Sequence, residues 1–531
     1  MMDLPLTTWL LFEGAATHHS QVEIVTRLPS ADVHRYTYSD FALRAKQLMN
    51  ALDTLGLPSG AVVATLAWNG YRHLEAYFAI PCSGRVLHTL NIRLSADELA
   101  FVMQDAGDST VLVDLEFLPM LLDVAERVPS LRHIIVLADN PGSTDPRVLG
   151  YEQLLTDEPT HYSALELDER AAASLCYTSG TTGRPKGVVS SHRSVFLHAL
   201  AVTSAAGMAF GPGDCVLPQV PMFHASAWGM PYAAVAVGAK LVFFGGPLEA
   251  SPFVELLLNE QVTVTAAVPT VWVSVADELE QRSDPGRYLR HIISGGSQPP
   301  RTLIERYLRN LRIPIVQAWG MTETSPLASV AWPQHRMLGW DEDNVTDAAR
   351  RQAGLPVPGI AVRIRDEGGA PVDFDGESMG SLEVRGPWVA DSYLHGHGSE
   401  NFTADGWFVT GDVAIGSEDG YFVISDRTKD LIKSGGEWIS SVDMEAAIMA
   451  MPGIVEAAVI AVPDPKWVER PVAFVVVQPG QNVEPSSIRA HLLANGFANW
   501  QLPDRVELID EVPKTAVGKF DKKVLRARET S

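Results

Sequence analysis

Along the first third of the chain, short apolar runs alternate with segments whose apolar residues recur at helical spacing. The runs at 61–66, 86–90, 111–114 and 133–137 predict strands, and 72–78 and 95–104 predict helices between them. Ser95 followed by Glu98 is a capping-box pattern that starts the second of these helices. Further along, 188–201 predicts a helix, and 241–244, 262–267 and 291–293 predict more strands. Alternation of this kind points to stacked βαβ units and largely parallel sheets. The longest apolar region, 225–246, is interrupted by Pro231 and carries Lys240, so it predicts a buried helix followed by a strand rather than a membrane span.

From about Gly354 the pattern changes to short alternating strands and glycine-rich turns, which predicts a small β-barrel-like region. Near Arg427 it changes again. A helix at 442–450, strands at 457–462 and 472–477, a helix at 485–493 and a basic tail predict a small α+β domain. The expected fold class is therefore α/β, with a large N-terminal domain over residues 1–426 and a small C-terminal domain over 427–531.

Composition narrows the function. The chain has 531 residues, 46% hydrophobic and 20% charged, which is ordinary for a globular protein and too long for one compact core. Its net charge of -23 argues against a general nucleic-acid or anionic-membrane surface, so bound anions must meet a local cluster of cations. Cys82, Cys176 and Cys215 lie far apart with no CxxC pair, which suggests neither a disulfide framework nor a zinc site and fits a reducing cytoplasm. The N-terminus lacks a basic n-region and its short apolar run ends at Glu13, so a cleaved signal is not expected.

The densest chemistry lies between Tyr177 and Gly187, where Thr178, Ser179, Gly180, Thr181, Thr182, Gly183, Arg184, Pro185 and Lys186 follow one another. Glycines let backbone N–H groups turn inward, the hydroxyls add donors, and Lys186 supplies a mobile cation, a combination suited to polyphosphate. The spacing is not that of the P-loop, because Gly180 and Gly183 are too close and Gly187 stands where a magnesium-binding hydroxyl belongs.

At this motif the chain resembles the adenylate-forming superfamily of acyl-CoA synthetases, luciferases and peptide-synthetase adenylation domains. The resemblance continues in order through Gln317-Ala318-Trp319-Gly320-Met321-Thr322-Glu323-Thr324, Thr410-Gly411-Asp412, Asp426-Arg427-Thr428-Lys429-Asp430 and Pro513-Lys514-Thr515-Ala516-Val517-Gly518-Lys519. It implies ATP, Mg2+ and coenzyme A, and small molecules as partners: no nucleic acid and no integral membrane segment, with a homodimer left open.

The resemblance also implies roles. Thr178, Ser179, Gly180, Thr181, Thr182, Gly183 and Lys186 would grip the phosphates, Thr322 would add a phosphate contact, and Glu323 would be the magnesium carboxylate. Gly295, Gly296 and Ser297 would form a backbone shelf for adenine, with Trp319 as the stacking ring and Gln317 and Gly320 beside it. Asp412, short and acceptor-only, would take the ribose diol, with Arg427 as a second contact. Lys519 would bridge the incoming carboxylate and the α-phosphate. Lys429 would be the hinge about which the small domain swings, bringing Lys433, Gly435, Gly436 and Trp438 in to line a channel for coenzyme A.

The acid pocket is implied by 221–230, with His224 near the carboxylate and Trp228 gating an apolar tunnel; Val268 and Met321 would add to its wall. These segments look closest to medium- and long-chain fatty acyl-CoA synthetases. No basic residue appears in 221–230 or 268–272, which disfavours dicarboxylic and amino-acid substrates. Three alternatives stay open: a ligase for a short thioether or aromatic acid such as 3-methylmercaptopropionate, a fatty acyl-AMP ligase, and a luciferase-like oxygenase.

Overall fold

The computed structural model describes residues 2–178, 184–282, 286–434, 437–478, 480–481, 483–514 and 520–529. Two large sheets dominate it. In the first the strands lie in the order Val148–Gly150, His133–Val136, Thr110–Val113, Val62–Leu66, Val86–Thr89, Ala172–Tyr177 and Gly187–Ser191, all parallel except for the last pair. In the second the order is Leu355–Pro356, Leu327–Val330, Ile315–Gly320, His291–Ser294, Val264–Ala267, Cys215–Pro218, Lys240–Phe244, Glu23–Arg27 and Val33–Thr37, with a parallel centre and antiparallel edges.

Both sheets are covered on both faces, which is why their strands read as continuous apolar runs. Val63, Leu112 and Ile135 of the first sheet share one core with Ile24, Leu241, Phe243 and Val316 of the second, and the helices Tyr38–Thr54, Tyr71–Cys82, His192–Thr203 and Met230–Val237 fill the space between. The opposite face of the first sheet buries Ala64, Val111 and Val113 under helices Ala96–Ala106 and Leu118–Ala125. That of the second buries Val25, Val242 and Phe244 under Ala250–Asn259 and Pro269–Glu280. The capping box at Ser95 and Glu98 is present in both directions.

The β region after Gly354 is a four-stranded antiparallel meander, Ala361–Arg365, Met379–Arg385, Phe408–Gly416 and Phe422–Arg427. Strands Glu437–Ile439, Ile432–Ser434, Val468–Val477 and Ile454–Asp464 follow in a separate sheet, with Arg505–Leu508 added parallel to Val468–Val477 and helices Ser441–Met449 and Pro485–Ala494 alongside. Among the described residues no helix is long and apolar enough to cross a membrane.

Two expectations need correction. Residues 188–201 are not one helix: Gly187–Ser191 pairs antiparallel with Ala172–Tyr177, and the helix begins at His192, where the Ser191 hydroxyl accepts a hydrogen bond from the Ser194 N–H. Val188 and Val189 favour the pleated edge, and a serine cap restarts the chain as a helix. The basic tail is not an open tail either, because Lys522–Glu529 is a helix that buries Leu525.

His198 ties the middle helix layer to the second sheet: its Nε2 accepts from the Leu327 N–H at 3.0 Å. Burial depresses its pKa to about 3, so the ring is neutral when folded. The unfolded chain then binds this proton first, and stability falls as pH drops below the unfolded value of about 6.5. His198→Gln should therefore flatten the fall of the urea-unfolding free energy between pH 7 and 5, by up to about 1.4 kcal/mol per pH unit. Parallel pH profiles for variant and parent would show that His198 is not buried neutral.

Candidate functional site

The two sheets and the meander meet at a cavity of about 700 Å³, a size typical of small-molecule sites. Its lining brings together Thr178, Lys186, His224, Trp228, Val268, Gly296, Trp319, Gly320, Met321, Thr322, Glu323, Arg427 and Lys429, residues singled out from separate motifs. Thr178 and Lys186 close the base of the hairpin between Ala172–Tyr177 and Gly187–Ser191, with the Thr178 N–H donating to the Lys186 carbonyl at 2.9 Å. Ser179, Gly180, Thr181, Thr182 and Gly183 lie outside the described residues, as do Gly435, Gly436 and Lys519.

Glycine and hydroxyl turns follow directly from two neighbouring strand ends, the usual place for ligands in an α/β sheet. Gly295 follows His291–Ser294, and a Cβ there would stand 2.7 Å from the Trp228 ring and 2.8 Å from the Ala318 carbonyl oxygen. Gly320 ends Ile315–Gly320, and a Cβ there would collide with the Pro326 carbonyl. The chain then makes the single turn Thr322–Thr324, which presents Glu323. Where those strands pair, Ser294 is opposite Gln317, and the Ser294 hydroxyl and Gln317 Oε1 are both buried without a hydrogen-bond partner. Gly295, Ser297, Gln317 and Asp412 are not among the lining residues.

Glu323 is 5% exposed. Burial raises its pKa, and a 2.6 Å hydrogen bond from the Tyr393 hydroxyl to Oε1 opposes that rise. A hard cation held by one carboxylate and substrate phosphates is the usual magnesium arrangement, and a buried carboxylate on the cavity wall fits it. No cluster of three metal-ligating side chains exists among the described residues, so most ligands would have to come from substrate and water.

Asp412 stands opposite Arg427 across the pair Phe408–Gly416 and Phe422–Arg427. Trp319 Nε1 donates to its Oδ2 at 3.1 Å. Arg427 Nε lies 2.7 Å from Oδ1, an ion pair across the two strands. A carboxylate is acceptor-only with lone pairs beyond these two contacts, which suits it to a ligand hydroxyl. Trp319 is thus engaged through its N–H, and its ring also meets Phe422 edge-on.

On the opposite wall, 225–229 form a left-handed turn: Ala225, Ser226, Ala227 and Trp228 have φ of 45°, 51°, 48° and 56°, and Gly229 continues at 73°. This costs roughly 1–2 kcal/mol for each non-glycine residue and aims Trp228 at Gly295. Strain of this size gathers at functional sites. Phe223, Leu248, Val268 and Val271 continue the apolar wall.

Lys433 and Trp438 lie outside the cavity. They face each other across the hairpin of Ile432–Ser434 and Glu437–Ile439, with the ammonium 4.7 Å from the ring, and Lys433 also pairs with Glu367 at 3.5 Å. Sequence reasoning missed Tyr393, 70 residues from Glu323 with no motif to mark it, and Arg93, which reaches the cavity wall from a plain turn.

With this geometry in view, the comparisons with known proteins fall into place. Residues 11–394 match the AMP-binding enzyme family and residues 443–519 match the AMP-binding enzyme C-terminal domain. The chain belongs to the AMP-binding enzyme family. Over 99% of its length it is 44% identical to a long-chain-fatty-acid–CoA ligase of Thermus thermophilus, covering 96% of that protein. It is 38% identical to a 3-methylmercaptopropionyl-CoA ligase of Ruegeria lacuscaerulensis, with 99% and 98% covered. The crystal structure of the anthranilate CoA ligase AuaEII in complex with anthranoyl-AMP superposes with a TM-score of 0.87 at 25% identity, covering 99% of this chain and 98% of that one.

Trp319→Phe keeps an aromatic ring but removes the indole N–H that donates to Asp412, along with part of the ring surface. A hydrogen bond to a charged group contributes about 1.5–3 kcal/mol, so KM for ATP should rise ~10-fold or more while KM for the acid holds. An unchanged KM for ATP would show that Asp412 needs no help from Trp319.

Proposed function

We propose that the chain is an AMP-forming acyl-CoA ligase that activates a medium- or long-chain fatty acid. The observation that carries this reading is one cavity with a charged end, Lys186, Glu323 and Arg427, and an apolar wall, Phe223, Trp228, Val268 and Val271. The identity to a fatty-acid ligase over nearly the whole chain supports it.

In the first half-reaction the acid's carboxylate attacks the α-phosphorus of ATP, forming acyl-AMP and releasing pyrophosphate. Both partners are anions, so catalysis is chiefly placement of positive charge where negative charge is brought together. Thr178 and Lys186, with the hydroxyls of 179–183, hold the β- and γ-phosphates. A bound Mg2+ would neutralise phosphate charge, and Glu323 is the residue that would hold it. Asp412 takes the ribose hydroxyls, and Gln317 lies on the same strand as Trp319, beside the adenine. Gly295 and Gly296 provide the flat shelf, His224 lies by the acid's carboxylate, and Lys519 bridges the two reacting anions.

In the second half-reaction the thiolate of coenzyme A displaces AMP from the acyl carbon. We assign residues 427–531 as the unit that swings between the two steps, with the hinge at Lys429. The last strand of the meander ends at Arg427 and the next sheet begins at Ile432, so few residues join them. The Thr428 N–H is held by the Gly411 carbonyl at 3.0 Å, and Arg526 bonds the Lys429 carbonyl at 3.3 Å. The hinge residue is thus held at its carbonyl and the residue before it at its N–H.

A ligase for a short thioether acid is the second reading, supported by the identity to the Ruegeria protein. CoA-dependent AMP release measured from acetate upward, with methylmercaptopropionate, benzoate and a dicarboxylate alongside, separates the two. Each methylene buried contributes up to about 0.8 kcal/mol, or roughly fourfold in kcat/KM, so specificity should climb through the medium chains. A maximum at methylmercaptopropionate with no activity on octanoate would overturn the fatty-acid reading.

The division of labour has its own test. Lys519→Ala should abolish acyl-AMP formation from acid and ATP but largely spare thioester formation from supplied acyl-AMP and coenzyme A. Equal loss of both in a folded variant would contradict it.

A further inference from the structure

Tyr393 lies on the chain between the second and third strands of the meander and is almost fully buried. Its hydroxyl donates to Glu323 Oε1 at 2.6 Å. Its ring centroid lies 5.0 Å from the Lys186 ammonium, within cation–π range. The rest of that lysine's seat comes from the same segment: a Cβ at Gly398 would run into Lys186 Nζ, and Glu400 Oε1 lies 3.7 Å from it. Tyr393 lines the cavity together with both groups it touches.

From this juxtaposition we infer that Tyr393 is a positioning residue that couples the cation-binding carboxylate to the phosphate-gripping lysine. The inference rests on the reading of Glu323 as the carboxylate that holds Mg2+. A carboxylate left alone can offer a hard cation either one oxygen or both. Magnesium demands near-ideal octahedral geometry, which a two-oxygen bite distorts. With Oε1 committed to the Tyr393 hydroxyl, Glu323 is left to meet the cation through its other oxygen. The same ring fixes one end of a long flexible lysine without neutralising it. A single side chain therefore sets the spacing between the two positive elements that the phosphates must span.

The test separates the two contacts and reads binding rather than turnover. Mn2+ binding is followed by electron paramagnetic resonance on the protein saturated with α,β-methylene-ATP. Binding of that analogue in EDTA is followed by calorimetry. Tyr393→Phe keeps the ring and deletes the bond to Glu323, so the Mn2+ dissociation constant should rise ~10-fold, the usual effect of losing an outer partner of a metal ligand, while metal-free analogue binding moves less than about twofold. Lys186→Met should do the reverse, weakening the metal-free analogue while Glu323 and its Tyr393 partner stay in place to bind Mn2+. Tyr393→Leu should weaken both.

Wild-type Mn2+ affinity in Tyr393→Phe would overturn the inference. Should that variant be destabilised, the double variant with Glu323→Gln decides: if both act on one ligand, it binds Mn2+ no worse than Glu323→Gln alone, and additive losses would contradict the coupling. Glu323→Gln with unaltered Mn2+ binding would instead refute the reading of Glu323 itself.

Discussion

Carboxylates and phosphates repel one another, and the site is organised around keeping two buried carboxylates, Glu323 and Asp412, beside a cavity meant for further anions. Burial alone would favour the protonated form of Glu323. Each is instead given specific donors: the Tyr393 hydroxyl for Glu323, the Trp319 N–H and the nearby Arg427 guanidinium for Asp412. Lys186 is seated within the same cavity. In a chain with a net charge of -23 this local arrangement, and not the protein's overall field, has to attract and orient a triphosphate.

The fold explains how these groups meet. Parallel strands end at the same edge of the sheet, and the exits after Ser294 and Gly320 carry Gly296, Met321, Thr322 and Glu323 to the cavity wall. The meander contributes Asp412 and Arg427 from facing positions, so their separation follows from strand pairing rather than from flexible loops. The left-handed turn at 225–229 is held by the packing around it, since local preference opposes it at every residue except Gly229.

Much of this was legible along the chain, and the particulars show why. The strands and helices of the first third carried their own periodicity, and the Ser95 and Glu98 pair marked a helix start that the structure contains. Residues from motifs separated by long stretches of chain, Lys186, Trp228, Glu323 and Arg427 among them, line one cavity. What local pattern could not show was partnership at a distance. Gly187–Ser191 becomes a strand only because Ala172–Tyr177 is there to pair with it. Tyr393 looks like any half-polar loop residue until the fold sets it beside Glu323 and Lys186. Trp319 was expected to act through its ring, and its N–H turned out to have a partner of its own in Asp412.

The central claim is that one cavity holds a nucleotide and an apolar acyl chain at the same time, joined through a phosphate. A stable acyl-sulfamoyl-adenosine with a medium or long chain mimics that joined species, and its affinity can be measured by calorimetry against AMP and the free acid. Intermediate and transition-state mimics bind ~10²-fold or more tightly than the separate substrates, so the compound should bind once per chain, far more strongly than either fragment. Affinity no better than that of AMP, or no dependence on the acyl chain, would contradict the account.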